Sequence, residues 1–159
     1  FDCCALLYRD PADGRLAHTQ HAEYLDTLTD TDEFSPSDYS IQLTRRPRGL
    51  PLWFSLATYG VAAYREAVSS TLALTRRIAD EIASRPELRV VGDPALSVVV
   101  FEREGWERAD YDRWSDDLLQ SQRALVVPSS HAGRVNTRFA ILNPLTTFED
   151  LVGILDTMR

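Results

Sequence analysis

The stretch best suited to anion binding is an arginine cluster that follows a threonine. Thr44 precedes three arginines, Arg45, Arg46 and Arg48, and an apolar helix start comes directly after them. Guanidinium forks beside a hydroxyl and a turn can hold a phosphate or a carboxylate through charge-assisted hydrogen bonds. On residue types alone, a solvent-exposed cluster that pairs with the acidic residues upstream is the more common reason for such a pattern.

Two further residues are candidates for chemistry. Tyr24 lies in the polar stretch AEYLDTL, and a tyrosine in a loop can donate a proton if the loop closes over a site; a surface anchor is the alternative. Arg138 lies in NTRFAILN, where strand alternation puts Arg138, Ala140 and Leu142 on one face. An arginine among apolar strand residues needs an anionic partner, which is either a substrate carboxylate or a structural aspartate.

The histidines and cysteines predict neither a metal site nor a disulfide framework. His18 and His21 are three residues apart without a third ligand, and His131 stands alone. We therefore expect all three at the surface and no bound metal. Cys3 and Cys4 are adjacent, which is a poor disulfide framework and favours core positions in a reduced, cytoplasmic protein.

The composition is that of an acidic globular domain. The 159 residues are 44% apolar and 26% charged, with a net charge of −7, which argues against nucleic-acid and anionic-membrane partners. No apolar run approaches the ~20 residues of a membrane span. All 17 basic residues are arginine, so this chain cannot form a lysine Schiff base.

The N-terminal half alternates between apolar and polar stretches. Residues 3–8 are predicted to form a buried strand, and residues 10–40 a long polar loop that contains the helix-compatible piece HAEYLDTL. A long helix follows over residues 49–84, bent or divided at Gly60 and ended by Pro86. Its predicted buried face is formed by Val61, Tyr64, Val68, Leu72, Thr75, Ala79 and Ile82.

From residue 88 the predicted order is β-β-α-β-β-α. The strands are placed at 88–91, 96–102, 124–128 and 136–143, and the first helix at 110–122, with Trp114 and Leu118 inward and Leu119 as a further candidate for that side. A capping box at Thr147–Asp150 opens the last helix, whose apolar stripe is Phe148, Leu151, Val152, Leu155 and Met158. Short connections favour an antiparallel sheet with both helices on one face.

These segments, in this order, resemble the C-terminal part of the group II pyridoxal-phosphate-dependent amino-acid decarboxylases. The matching stretches are FDCCALLYRD, EYL, DYSIQLTRRPRGLPLWFSLATYGVAAYRE, LSVVVF, VVP and RFAILNPLTT. The resemblance covers essentially the whole chain, and LTRRPRGLPLWF followed by RFAILNP is its most specific part. The family includes aromatic-L-amino-acid, glutamate, tyrosine and histidine decarboxylases.

The resemblance implies a partial α/β fold of pyridoxal-phosphate fold type I. Residues 1–50 would end the large cofactor-binding domain, with a mobile catalytic loop at about 10–40. Residues 51–86 would be a connecting helix, and residues 87–159 a small C-terminal α+β domain. The chain would begin just after the family's cofactor lysine, and by itself it is expected to be inactive.

The resemblance also implies roles for individual residues. Tyr24 matches the tyrosine that protonates the substrate carbon after carbon dioxide leaves. Thr44 matches a residue that reaches the cofactor phosphate of the neighbouring subunit. Arg138 matches an arginine near the substrate carboxylate, and Phe1 a residue near the substrate pocket. Pro47 departs from the aromatic or aliphatic residue of many relatives.

Two functions follow as expectations. In the first, this chain and a companion segment that carries the lysine form a homodimer-type enzyme that converts an L-amino acid to its amine and carbon dioxide with pyridoxal 5'-phosphate. In the second, the chain is a non-catalytic α+β fragment for binding or dimerisation. An unpaired apolar strand at residues 3–8 would be an aggregation liability, which favours the first. The sequence does not identify the amino acid.

Overall fold

Two units make up the chain in a computed structural model, which describes residues 5–19, 34–42, 44 and 46–159. The first unit is Phe1–Gly60 and the second is Val61–Arg159. The division falls inside the helix that the sequence predicts as a connection. Phe1, Tyr24, the two cysteines and the piece HAEYLDTL lie outside the described residues.

The first unit contains two short helices where the sequence predicted an irregular loop. Helix α1 spans Pro11–His18, and a 3₁₀ helix spans Pro36–Tyr39. Helix α1 begins here because the Asp10 side chain accepts a hydrogen bond from the Ala12 N–H at 2.9 Å and because Pro11 suits the first turn. The expectation that residues 10–40 form a long polar loop was therefore wrong where these two helices lie.

The predicted N-terminal strand is not found in its described part. Residues 5–8 belong to no strand, and Leu7 is 89% exposed. A strand exists only where a second strand supplies hydrogen bonds, and no described residue pairs with this stretch.

Helix α2 spans Gly49–Ser84 and is interrupted at Gly60, as predicted. Gly60 has φ 79° and ψ 156°, a backbone conformation that glycine adopts without the clash of a Cβ atom. Within the second unit the helix buries Thr71, Thr75, Ile78, Ala79 and Ile82. The N-terminal part of the predicted buried face was wrong for this chain, since Val61 and Val68 are exposed.

The second unit is built on a four-stranded antiparallel sheet with the order β1-β2-β4-β3. The strands are β1 (Leu88–Val90), β2 (Val98–Arg103), β3 (Ser129–His131) and β4 (Arg134–Ala140). Helix α3 spans Arg108–Gln120 and helix α4 spans Phe148–Leu155. The order β-β-α-β-β-α is as predicted.

One face of the sheet forms the core with the helices. Val99 and Phe101 on β2 and Phe139 on β4 are buried, and the rings of Phe101 and Phe139 lie 4.9 Å apart. The same core contains Ile78 and Ile82 from α2 and the following residues of α3 and α4: Tyr111, Trp114, Leu118, Leu151, Ile154 and Leu155. The prediction of both helices on one face is therefore confirmed.

Two predictions within this unit were wrong. Residues 124–128 form no strand, and the strand of this region lies at Ser129–His131. The run ALVVP is apolar, but only Val126 is buried, while Leu125 and Val127 are exposed. Leu119, placed on the apolar side of its helix, is also exposed. An apolar run by itself does not specify a strand partner.

The capping box that opens α4 is confirmed. The Thr147 hydroxyl accepts from the Asp150 N–H at 3.1 Å, and the Thr147 N–H donates to Asp150 Oδ2 at 2.9 Å. Among the helices of the described ranges, none combines the length and the apolar run that a membrane crossing requires.

Thr137 generates a stability prediction because its buried hydroxyl has no hydrogen-bond partner among the described residues. We expect Thr137→Val to raise the free energy of unfolding by about 1 kcal/mol, since the substitution removes an unsatisfied polar group and keeps the shape. Urea unfolding measures the change. Thr75→Val is the matched control, because the buried Thr75 hydroxyl donates to the Thr71 carbonyl at 2.7 Å. Destabilisation by Thr137→Val would contradict the assignment.

Tyr111 generates a pH prediction. Burial raises the pKa of its hydroxyl, which accepts a hydrogen bond from the Arg103 N–H at 2.6 Å. Because the folded protein favours the neutral phenol, this contribution to stability is complete below the unfolded pKa of about 10 and is lost as pH rises through the folded pKa. Unfolding free energies measured from pH 8 to 11 should fall more steeply for the wild type than for Tyr111→Phe. Parallel curves would disprove the prediction.

Candidate functional site

The arginine cluster in the first unit lies in an exposed turn before α2. Thr44, Arg46 and Arg48 are all exposed. The Arg48 N–H donates to the Arg46 carbonyl at 2.8 Å, and the Leu50 N–H donates to the Pro47 carbonyl at 2.9 Å. These bonds turn the chain into the helix, and Thr44 and Arg46 lie exposed at the surface before it.

Arg138 projects from the face of the sheet opposite the core. Along β4, Thr137 and Phe139 are buried, whereas Arg138 and Ala140 are exposed, which confirms the predicted alternation. Arg138 stands opposite Val100 of β2 in the antiparallel register. Of the two partners considered for Arg138, a structural aspartate is not found among the described residues, where the arginine is exposed.

The other well-placed arginines of the second unit have protein partners. Glu102 is almost fully buried and receives bonds from Arg89 and Arg134, the latter at 2.8 Å. Arg85 bridges Glu81 at 2.9 Å and Asp156 at 2.8 Å. Within the described ranges, Arg138 makes no hydrogen bond or ion pair. Its charge is therefore available to a ligand or to another polypeptide segment.

A cleft of about 500 Å³ opens beside Arg138. It lies between β4, the segment that precedes β3, and α4, and its lining includes Arg123, Leu125, Arg138, Ala140, Glu149 and Asp150. An arginine next to apolar side chains can hold a small carboxylate whose remaining atoms contact Leu125 and Ala140.

Asp150 contributes a fixed negative charge to this cleft. Hydrogen bonds from the Thr147 side chain and backbone lower the pKa of its carboxyl group. The carboxylate is therefore ionised at neutral pH and remains so into acidic solution. With Glu149 it faces a cleft that also holds Arg123 and Arg138, an arrangement that matches a zwitterion better than a simple anion.

A larger cleft of about 570 Å³ lies at the other end of β4. Its lining includes Glu102, to which both Arg89 and Arg134 donate, and Arg103, whose Nε donates to the Met158 carbonyl at 2.9 Å. Because these charged groups are already paired, this cleft is a weaker candidate for ligand binding.

The structure places two of the four predicted site residues. Thr44 belongs to the first unit and Arg138 to the second, and each is described in its own unit. Tyr24 and Phe1 lie outside the described residues. Sequence reasoning missed Arg123 and Leu125, since the run ALVVP was assigned to a strand. Within the part of the chain that the structure describes, no three metal-ligating side chains come together.

Comparison with known proteins gives a consistent result. The model of the pyridoxal-dependent decarboxylase conserved domain matches residues 1–104. Human acidic amino acid decarboxylase GADL1 is 27% identical over 97% of this chain and 33% of its own length. The L-2,4-diaminobutyrate decarboxylase of Acinetobacter baumannii is 27% identical over 96% of this chain and 31% of its own length.

A solved structure agrees in fold. The crystal structure of Oryza sativa TDC with PLP and tryptamine superposes with a TM-score of 0.74 at 22% identity, over 91% of this chain and 33% of that chain. The chain thus spans about a third of the length of the relatives that it matches.

Arg138 generates a prediction about stability, because a binding residue without structural partners should be dispensable for folding. We expect Arg138→Ala to change the free energy of unfolding by less than about 0.5 kcal/mol. Arg85→Ala, which removes a bridge between two carboxylates, should cost about 2 kcal/mol. Urea unfolding of both variants tests the contrast. Equal losses would assign Arg138 a structural role.

Proposed function

Because this chain belongs to the pyridoxal-dependent decarboxylase family, we propose that it forms part of an enzyme that converts an L-amino acid to its amine and carbon dioxide. The observation that carries the proposal is the family match over residues 1–104, which includes Tyr24 and Thr44. The relatives' names range from an acidic amino acid decarboxylase to a diaminobutyrate decarboxylase. An L-amino acid is therefore the appropriate substrate class.

Pyridoxal phosphate is the cofactor of this family, and when bound it stores the electron pair released by decarboxylation. The residues of this chain do not by themselves complete a site for it, because the covalent bond requires a lysine amine and all 17 basic residues are arginine. We therefore propose that the lysine lies on a companion segment outside these 159 residues and that this chain alone is inactive. The exposed Thr44 hydroxyl suits a contact to the cofactor phosphate.

Tyr24 is the proposed proton donor. Decarboxylation leaves a carbanion at the substrate α-carbon, and an acid within hydrogen-bond reach must protonate it. The phenol of Tyr24 would supply this proton.

Arg138 is the proposed contact of the substrate carboxylate. Its exposed position, its lack of a partner among described residues and the cleft beside it support this role. Phe1 is proposed near the substrate side chain, on the basis of the family resemblance.

The proposed assembly is a homodimer with shared active sites. In the first unit, Trp53 and Phe54 of α2 are 60% and 56% exposed. Adjacent aromatic residues with this exposure suit a surface that another polypeptide covers. We place the enzyme in the cytoplasm, since two adjacent cysteines make a poor disulfide framework.

A non-catalytic fragment is the second candidate. It is favoured by the absence of lysine and by the second unit's own hydrophobic core, which suits a binding or dimerisation module. Visible absorbance of purified material distinguishes the two, because a Schiff base absorbs there and a lysine-free fragment cannot form one.

Tyr24→Phe tests the proposed function in the complete enzyme. We expect the variant to bind pyridoxal phosphate with an unchanged visible spectrum and to form amine at least about 100-fold more slowly, because the proton donor is missing. Amine release is measured by mass spectrometry with acidic, aromatic and diamino L-amino acids. Tyr59→Phe, at a 70% exposed tyrosine, is the matched control. Unchanged turnover in Tyr24→Phe would remove Tyr24 from the mechanism.

A further inference from the structure

The five residues before β3 lie beside an edge of β4 to which they are not hydrogen-bonded. Strand β3 pairs with β4 over three residues, beginning with Ser129 opposite Asn136. Residues 124–128 form no strand and, within the described ranges, make no backbone hydrogen bond to β4. Their first three residues nevertheless line the same cleft as Arg138 and Ala140. We call residues 124–128 the strap.

The backbone of β4 directs unpaired hydrogen-bonding groups towards the strap. On the opposite side, the Ile141 N–H donates to the Ser97 carbonyl, just before β2, at 2.8 Å. Because alternate residues of an antiparallel strand direct their N–H and C=O groups to opposite neighbours, Arg138 and Ala140 direct theirs away from β2. No backbone group of the described residues pairs with them there. This edge can therefore accept one more stretch of strand.

The side chains of the strap already alternate as that strand would require. Continuing the observed register of β3 by two and four residues places Val127 opposite Arg138 and Leu125 opposite Ala140. Residues that stand opposite each other share a face of the sheet. Leu125 and Val127 are exposed, as their two partners are, whereas Val126 is buried in the core. The strap thus needs no turn about its own axis to pair with β4.

The proline and the fixed ends of the strap are compatible with this pairing. Pro128 would stand opposite Thr137, whose backbone groups face β2, so the missing N–H costs no hydrogen bond to β4. The Arg123 N–H donates to the Leu118 carbonyl at 3.0 Å, and Ser129 is already paired with β4. Because both ends are held, closing the strap requires a movement of its middle residues alone.

We propose that the strap pairs with β4 and closes beside Arg138 when a carboxylate binds to that arginine, an inference that rests on the proposed function. Closure places Val127 next to Arg138 on one side, while Val100 of β2 stands opposite it on the other. Apolar side chains on both sides exclude water from the guanidinium stem, and an ion pair is stronger where water is excluded. By linkage, a bound carboxylate favours the closed strap to the same extent.

Amide hydrogen exchange of the purified full chain is the first test. Glycine is the probe, because it is the smallest molecule that carries both the carboxylate and the ammonium group that suit this cleft. We expect glycine to slow the exchange of the Arg138 and Ala140 amides by at least about tenfold. The Phe139 amide faces β2 and should not change. Unaltered exchange of Arg138 and Ala140 at every glycine concentration would overturn the proposal.

Val127→Pro tests whether the backbone of the strap is responsible. The substitution removes the N–H that the closed strap donates to the Arg138 carbonyl. We expect it to abolish the slowed exchange and to weaken glycine binding by about tenfold, while the exchange of β2 shows that the fold is intact. Val127→Ala keeps the N–H at this exposed position and should retain the slowed exchange. Equal loss of protection in both variants would overturn the pairing.

Cross-linking tests the register without a ligand. Residues that form a hydrogen-bonded pair have Cα atoms about 5.5 Å apart, a separation that a disulfide can bridge. In a chain whose Cys3 and Cys4 are replaced by serine, Leu125→Cys with Ala140→Cys should form a disulfide under mild oxidation, as mass spectrometry of the peptides would show. Leu125→Cys with Leu142→Cys, two residues out of register, is the control. Failure of the first pair, or equal yields from both, would overturn the register.

Steady-state kinetics of the complete enzyme separate the strap from the proposed function. Val127→Pro should raise KM for the L-amino acid by about tenfold with kcat little changed, because the strap acts on binding. An unchanged KM would remove the strap from the site. If the wild type forms no amine from any L-amino acid, the proposed function fails. Exchange with glycine and cross-linking would then still decide whether the strap closes.

Discussion

The second unit depends on the side-chain alternation of the paired strands β2 and β4. Val99 stands opposite Phe139 and Phe101 opposite Thr137, and these side chains enter the core. Because successive strand residues point to opposite faces, the same register sends Arg138 outward. A slip of one residue would bury that guanidinium and expose the phenylalanine rings. The core and the candidate ligand contact are thus two consequences of one register.

The arginines of the second unit differ in whether their guanidinium groups contact other side chains of the fold or can contact a ligand. Glu102, nearly buried on the outer side of the sheet, is neutralised by Arg89 and Arg134. The guanidinium of Arg77 lies 3.7 Å above the Phe148 ring and joins α2 to α4. Each of these side chains makes a structural contact within the fold. Arg138 has none within the described residues, and this contrast makes its cleft the better candidate for ligand binding.

The described residues include side chains that are suited to anion binding. An exposed threonine beside arginines and a free guanidinium are suited to anions, yet no lysine is present to bind a pyridoxal cofactor covalently.

The sequence by itself determined the family, the break at Gly60, the capping box at Thr147, the element order of the second unit and the alternation that puts Arg138 and Ala140 on one face of β4. These features depend on local backbone chemistry, on strand and helix periodicity, or on motifs that can be read along the chain. Only the tertiary contacts decide which apolar runs form strands and which part of the polar stretch forms helix α1. Residues 124–128 are as apolar as a strand but remain unpaired, whereas Ser129–His131 pairs with β4. Helix α1 has no apolar periodicity. It packs because Gly14 lies against Tyr39 and Arg15 pairs with Asp38, and both partners are more than twenty residues away. Such contacts depend on which distant residues come together, and no local pattern contains that information.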